Sequence, residues 1–250
     1  MSDVHRADVC AVALAEVFRG DGEIMASPMG LLPSLGARLA KATFAPDLAL
    51  TDGVAHLVAG EVRLGAEGDA VVEGRMPYRK VFDTLWAGRR HVVMGAAQID
   101  RYGNQNISCV GDWRRPKAML LGVRGAPGNT LNHTTSYWVP KHTTRVFVPA
   151  VDVVCGVGYD RAAALGSAAR FHEIRRVVSN LGVFDFDTSD HRMRLVSVHP
   201  GVDVARVVEH TGFVLEVPAE VPTTRTPDAD EIAVLRRLDP DLRARSQVAV

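Results

Sequence analysis

Apolar residues Val9, Val12, Leu14 and Val17 recur near a helical period, Ser2 or Asp3 can cap the first turn, and Gly20 and Gly22 stop the run. The pattern predicts an amphipathic helix over residues 3–19. A short apolar stretch at 23–27 then passes through a Pro- and Gly-containing turn into LLPSLGARLAKATF, which reads as strand, turn and helix. The alternation returns with a helix over 81–90, a strand in HVVMGAAQ, and further strands at 117–122 and 145–154. Continuous apolar runs such as VVMGAA and AMLLG suit strands covered on both faces, so the sheet is expected to be mostly parallel and the fold class α/β. Towards the end the texture changes. Two alternating segments around TSDH predict an antiparallel hairpin, VDVARVVEHTGF a helix closed by Gly212, and residues near 228–238 a last charged helix, with a looser stretch after Leu242.

Size and charge narrow the classes. The 250 residues carry 29 basic and 29 acidic side chains, which leaves no excess of charge to neutralise a nucleic acid or an anionic bilayer. No internal repeat is evident, and one domain over 1–250 is expected. Cys10, Cys109 and Cys155 are odd in number and far apart, unlike a disulfide framework or a cysteine-rich zinc site. With no export-signal pattern and no long uncharged apolar run, a cytoplasmic protein without a membrane association is expected.

The polar positions that interrupt this pattern carry the candidate chemistry. In GAAQIDRYGNQNIS (95–108), Gln98, Asp100, Asn104, Gln105 and Asn106 follow an apolar strand directly, with Gly103 as the turn. Ligands of open α/β sheets gather at the carboxyl ends of strands, although Asn and Asp also simply satisfy turn backbone, and the two readings are evenly matched. A second loop, VRGAPGNT (123–130), brings Gly125 and Gly128, whose amides can face an oxyanion or a phosphate. Alone it is a common turn pattern. His133 and His142 lack a third ligand and metal-binding spacing, so no metal is expected. Trp86, Trp113 and Trp138 read as core or interface anchors, and Ser27 as a turn or capping residue near the ligand rather than a nucleophile.

Taken in order, GLLPSLGARLAK with FAPD, GAAQIDRYGNQNISCVGDWRRPK, RGAPGN and VSVHPGVDVARVVEHTGF resemble the β subunit of family I CoA-transferases of the glutaconate type, over nearly the whole chain. The resemblance implies a three-layer α/β/α, Rossmann-like domain that pairs with a homologous α subunit, as an α2β2 heterotetramer, and acts on CoA thioesters without a separate cofactor, CoA being part of the substrate. One departure stands out. Family transferases carry a nucleophilic glutamate just after the APD-type strand, whereas here Thr51, Asp52 and Gly53 occupy the place and no Glu lies between Glu23 and Glu61. In this the chain is similar to the branch of the family that opens the last ring of a steroid-derived CoA thioester in cholesterol catabolism of actinobacteria, by retro-Claisen hydrolysis that leaves the thioester intact. The resemblance then implies that a carboxylate on the α subunit is the base. Gly125 donates its amide to the thioester or enolate oxygen, and Gln98, Asn104 and Asn106 shape the site. Arg124, at a place where transferases usually have glycine, can meet a substrate carboxylate or, as surface arginines more commonly do, pair with a nearby acid, and Gly128, Asn129 and Ser27 complete the substrate-binding set. Two alternatives stay open: a true transferase using Asp52, and a non-catalytic structural or ligand-sensing subunit of the same fold.

Overall fold

The computed structural model describes residues 4–52, 55–65 and 70–248, and the chain divides into two compact units, residues 1–94 with 225–250, and residues 95–224.

In the first unit, α1 (Arg6–Glu16) begins with a reciprocal cap. The His5 ring accepts from the Ala7 amide, and Asp8 accepts from the His5 amide. Ser2 and Asp3, expected to cap this helix, lie outside the described residues. The helix is not simply amphipathic, because every residue from Ala7 to Ala15 is buried. Its small side chains let α2 (Leu31–Thr43) come close: a Cβ on Gly36 of α2 would stand 2.7 Å from the Cβ of Leu14, so only glycine fits that crossing. Strand β1 (Met25–Pro28) pairs in parallel with β5 (Arg90–Gly95), from Met25 opposite Arg90 to Pro28 opposite Val93. The strands β2 (Leu50–Thr51), β3 (His56–Ala59) and β4 (Val71–Arg75) form a separate antiparallel sheet that the sequence pattern does not predict, followed by α3 (Tyr78–Ala87).

Residues 225–248 complete this unit. Asp228 and Glu231 cap α7 (Ala229–Leu238), which packs on α2. Burial alone would raise the Asp8 carboxyl, but hydrogen bonds from Arg236 and the His5 amide, with the charges of Arg236 and Arg245, hold it below its ordinary value. The stretch after Leu242, expected to be loose, is instead a 3₁₀ turn, Arg243–Gln247. Asp239 accepts from the amides of Arg243 and Ala244, Gln247 accepts from Leu32, and Val248 is buried.

The second unit is built on β10 (Thr134–Val139) and β11 (Glu173–Ser179), which run parallel, and on β12 (Gly182–Asp185) and β13 (Arg194–Val198), which add an antiparallel meander. The expected hairpin around TSDH is the β12 and β13 pair. The fold is thus mixed α/β, with a mainly parallel set of central strands. Short hairpins β6 (Gln98–Ile99) with β7 (Gln105–Asn106), and β8 (Cys109–Val110) with β9 (Ala118–Met119), precede the helices α4 (Ala126–Asn132), α5 (Tyr159–Ala162) and α6 (Val204–Glu209).

Three expectations need correction. The buried strand at 117–122 is only the two exposed residues of β9. The segment 145–154 is not a strand: Phe147 is buried and bridges Ile99, but Pro149 breaks any ladder. The helix predicted over VDVARVVEHTGF ends at Glu209, while Gly212, expected to close it, lies beyond it and donates its amide to the Phe147 carbonyl.

Candidate functional site

The second unit holds most of the sequence candidates, and hydrogen bonding divides them into two networks. At the tip of the β6 and β7 hairpin, Gly103 takes φ 82° and Asp100 accepts from the amides of Tyr102 and Asn104. Desolvation raises the Asp100 carboxyl above its ordinary value against these hydrogen bonds. The Asn104 side-chain amide donates to Asp100 at 3.0 Å and to Asp160 at 2.8 Å, and its oxygen accepts from the Gly158 amide at 2.8 Å. Asn104 therefore ties the hairpin to the start of α5.

On the body of the hairpin, the Asn106 amide donates to Gln98 Oε1 and to the Cys109 carbonyl, both at 2.7 Å, while its own oxygen accepts from Ser108. Gln98 in turn donates to Asp152 at 2.8 Å and accepts from the Asp152 amide. The amide nitrogen and the oxygen of both Gln98 and Asn106 thus have partners within the protein, and both side chains are buried. Geometrically these are positioning residues for the backbone around them. Beside them Gln105 Oε1, Ser108 Oγ and Tyr137 Oη are buried with no hydrogen-bond partner among the described residues.

The glycine loop leads into α4. Gly125 is its N-cap, whereas Gly128 stands inside the helix and Asn129 is buried there, with its carbonyl accepting from His133. Arg124 is exposed and takes φ 49°. That left-handed backbone explains why glycine is the easier residue at this place, since a Cβ there costs about 1–2 kcal/mol.

Ser27 and Asp52 lie in the first unit and line one cavity of about 430 Å³. Ser27 sits within β1 opposite Val92 rather than in the turn after it, and the N-cap of α2 is Gly30. Asp52 follows β2, where Oδ1 accepts from the amides of Ala55 and His56 at 2.8 and 3.0 Å, and Oδ2 lies 2.8 Å from His56 Nδ1. Gly53 lies outside the described residues. The same cavity is lined by Arg38 and Arg90, which are 8% and 2% exposed, and by Thr51, Met76 and Tyr78. Burial pulls the Arg90 guanidinium down to about 10. Sequence reasoning passed over both arginines. The only hints were a cation inside the apolar helix LLPSLGARLAKATF and another at the head of the apolar run of β5.

His142 is a packed core residue, with its ring nitrogens against Ser179 and Thr211. Trp138 is buried, but Trp86 and Trp113 are exposed. Among the described residues no three of His, Cys, Asp and Glu come together as a group able to hold a metal ion, and no helix is long and apolar enough to cross a membrane.

Residues 13–210 match the coenzyme A transferase family. The chain belongs to that family. As a coenzyme A transferase homologue it is 53% identical, over all of its length and 98% of the relative's, to the cholesterol ring-cleaving hydrolase IpdB subunit of Rhodococcus jostii. It is 56% identical to the protein of the same name from Mycobacterium tuberculosis, over 94% of this chain and 95% of that one. The crystal structure of Rhodococcus jostii IpdAB superposes with a TM-score of 0.95 at 52% identity, covering all of both chains.

Proposed function

We propose that this chain is the β subunit of a heteromeric hydrolase that opens the last ring of a steroid-derived acyl-CoA in cholesterol catabolism and leaves the thioester intact. The state of Asp52 carries the reading. A carboxylate whose two oxygens already hold two amides and an imidazole is a poor attacking group, since a nucleophile must present a lone pair to the substrate in line. The family chemistry that remains is attack by water. The full-length likeness to IpdB subunits supports the ring-bearing substrate class.

In such a reaction the oxygen of water adds to a ring ketone that lies β to the thioester carbonyl. The carbon–carbon bond between that ketone carbon and the α carbon breaks, and its electron pair passes to the thioester as an enolate. Protonation of the α carbon completes the ring-opened acyl-CoA, and the added oxygen stays in the new carboxylate. An amide donor aimed at the enolate oxygen is worth about 10²–10³ in rate, and Gly125 is the assigned donor. Gln98, Asn104 and Asn106 hold the surrounding backbone. Gly128 and Asn129 fix α4 behind Gly125, Arg124 presents its cation from the exposed loop, and Ser27 and Asp52 contribute to the wall of the first-unit cavity.

The base that activates water is assigned to a homologous α subunit, with two copies of each chain as the assembly, and no separate cofactor takes part. Three buried cysteines, none of them in a disulfide, suit a reducing cytoplasm.

The test is turnover of a steroid-derived ring-bearing acyl-CoA in ¹⁸O-water by the co-purified α and β subunits. Ring-opened CoA product with ¹⁸O in a new carboxylate is the expected result. Release of free CoA, or its transfer to an added acid, would replace this reading with thioesterase or transferase chemistry.

A further inference from the structure

Residues 109–123 form an exposed arm of the second unit. Strands β8 and β9 pair at its base, and its tip carries Trp113, 59% exposed, beside the exposed cations Arg114, Arg115 and Lys117. None of these three cations has an ion pair or a side-chain hydrogen bond among the described residues. The two carboxylates close by are engaged with backbone: Asp112 accepts from the Arg114 amide at 2.7 Å and Asp152 from the Gly111 amide at 2.8 Å.

Exposed as it is, the arm is held from below. Asn106 donates to the Cys109 carbonyl and accepts from the Ser108 amide, and the carbonyls of Ser108 and Ile107 accept from the amides of Leu120 and Gly122. At the tip the Asp112 carbonyl accepts from the Arg115 amide at 3.0 Å. The buried Gln98 and Asn106 network thus fixes the base of an arm whose side chains face solvent, and a surface ordered in advance loses less freedom on binding. From the tip towards Gly125 the chain carries Met119, Leu121 and Val123, all exposed.

We propose that this arm holds the nucleotide end of the CoA thioester, with the adenine stacked on Trp113 and the phosphates met by Arg114, Arg115 and Lys117. The inference rests on the acyl-CoA reading above and adds to it which residues grip the part of the substrate far from the reacting bonds.

Three features of the arm select this ligand. A flat, exposed indole offers a stacking face to a base. Guanidinium groups match phosphate oxygens in paired hydrogen bonds and a lysine adds a point charge, which together suit a diphosphate and a ribose 3′-phosphate. The apolar residues that follow suit the methylene and dimethyl groups of the pantetheine arm, which runs from that nucleotide to a thioester oxygen at Gly125. A face of the α subunit is the competing occupant. It would cover the apolar residues but leave three cations to be neutralised.

The experiment is isothermal titration of the co-purified α and β subunits with CoA, adenosine 3′,5′-bisphosphate and inorganic phosphate. The bisphosphate is expected to compete with CoA and to bind at least 10-fold more tightly than phosphate. Trp113→Ala, and Arg114→Gln combined with Arg115→Gln, should each weaken CoA and the bisphosphate by about 10- to 100-fold, the range for loss of a stacked base or of charge-assisted pairs. Trp113→Phe should recover part of the loss. Added salt should weaken the bisphosphate, less steeply in the double arginine variant. Because all three residues are exposed, the thermal melts should be unchanged and the variants should elute as the intact complex. Bisphosphate binding no tighter than phosphate, or affinities indifferent to every variant, would overturn the proposal. So would separation of the α and β subunits on size exclusion, which would make the arm an intersubunit face. Ring opening in ¹⁸O-water is scored separately. Ring opening with nucleotide binding indifferent to the arm removes only this assignment, whereas arm-dependent binding without ring opening removes the hydrolase reading and leaves the assignment standing.

Discussion

The Asn106 side-chain amide donates to the Gln98 side-chain carbonyl at 2.7 Å, and Gln98 passes the constraint to Asp152, 54 residues away in the chain. Replacing Asn106 by Leu strands the Cys109 carbonyl and the Ser108 amide in a buried site. Each orphaned group costs about 1–3 kcal/mol, so the midpoint of urea unfolding should fall clearly, and ring-opening activity of the complex should fall with it. An unchanged midpoint with lost activity would make Asn106 a substrate contact instead of a positioning residue.

The glycine at α2 is tested from the partner's side. Gly36→Ala forces a methyl to 2.7 Å from Leu14 Cβ and 3.0 Å from its carbonyl carbon. Overpacking of this kind typically costs about 1–3 kcal/mol. Because the carbonyl carbon of Leu14 and the carbonyl oxygen of Ala11 stay in place, Leu14→Gly, which removes the Cβ, should relieve only part of the clash, and a double-mutant cycle should show coupling between the two sites.

Acid sensitivity follows from His142. Its ring lies on Phe147 with centroids 3.6 Å and planes 5° apart. Its Nδ1 lies 2.9 Å from Ser179 Oγ and its Nε2 3.0 Å from Thr211 Oγ1, so both ring nitrogens have hydroxyl partners inside the core. Desolvation, helped by the charge of His210, lowers this imidazole to about 3. Between that value and the unfolded value near 6.5, the unfolded chain binds a proton that the native chain does not. Stability should therefore fall as pH drops through this window, by about 1.4 kcal/mol per unit at most from this group. Urea titrations at pH 7, 6 and 5 should show the loss, and His142→Asn should flatten this part of the slope.

Asp52 gives a chemical test. During turnover no CoA adduct should form on the peptide that contains Asp52, and borohydride should label nothing there. Mass spectrometry of the quenched complex reads this directly. A CoA ester at Asp52 would mean that the turn opens and that the carboxylate attacks.

Arg124→Gly should stabilise the isolated chain by up to about 1–2 kcal/mol, because glycine adopts φ 49° without strain. Greater entropy of glycine in the unfolded chain offsets part of this gain. If Arg124 contacts a substrate anion, KM for the acyl-CoA should rise in the same variant.

Elements with a strong period were legible from the chain alone. The helices α1 and α2 and the capped helix α7 stand within a few residues of where apolar spacing puts them. Strand β10 escaped because Thr134, Thr135 and Ser136 look polar, although Thr135 and Ser136 are fully buried. The segment around Phe147 misled in the opposite direction, since an apolar residue can be buried by a loop that has no ladder. At the candidate site, the amide cluster from Gln98 to Asn106 was visible as composition, but its partners Asp152 and Asp160 were not. They lie more than 50 residues downstream, and nothing local marks them as acceptors. Arg38 looked like an ordinary helix cation until the strands around it closed a cavity on its side chain.

Residues 225–248 return to the unit that contains α1 and α2, while residues 95–224 form an unbroken unit in between. On the ribosome the two units therefore mature in the reverse of their order of appearance. The middle of the chain can condense while it is being made. The earliest 94 residues must wait, with Asp8 held only by the His5 amide and the Leu32 amide unpaired, until Arg236, Arg245 and Gln247 emerge. Chaperone capture of nascent chains should accordingly persist on the amino-terminal segment until synthesis is nearly finished.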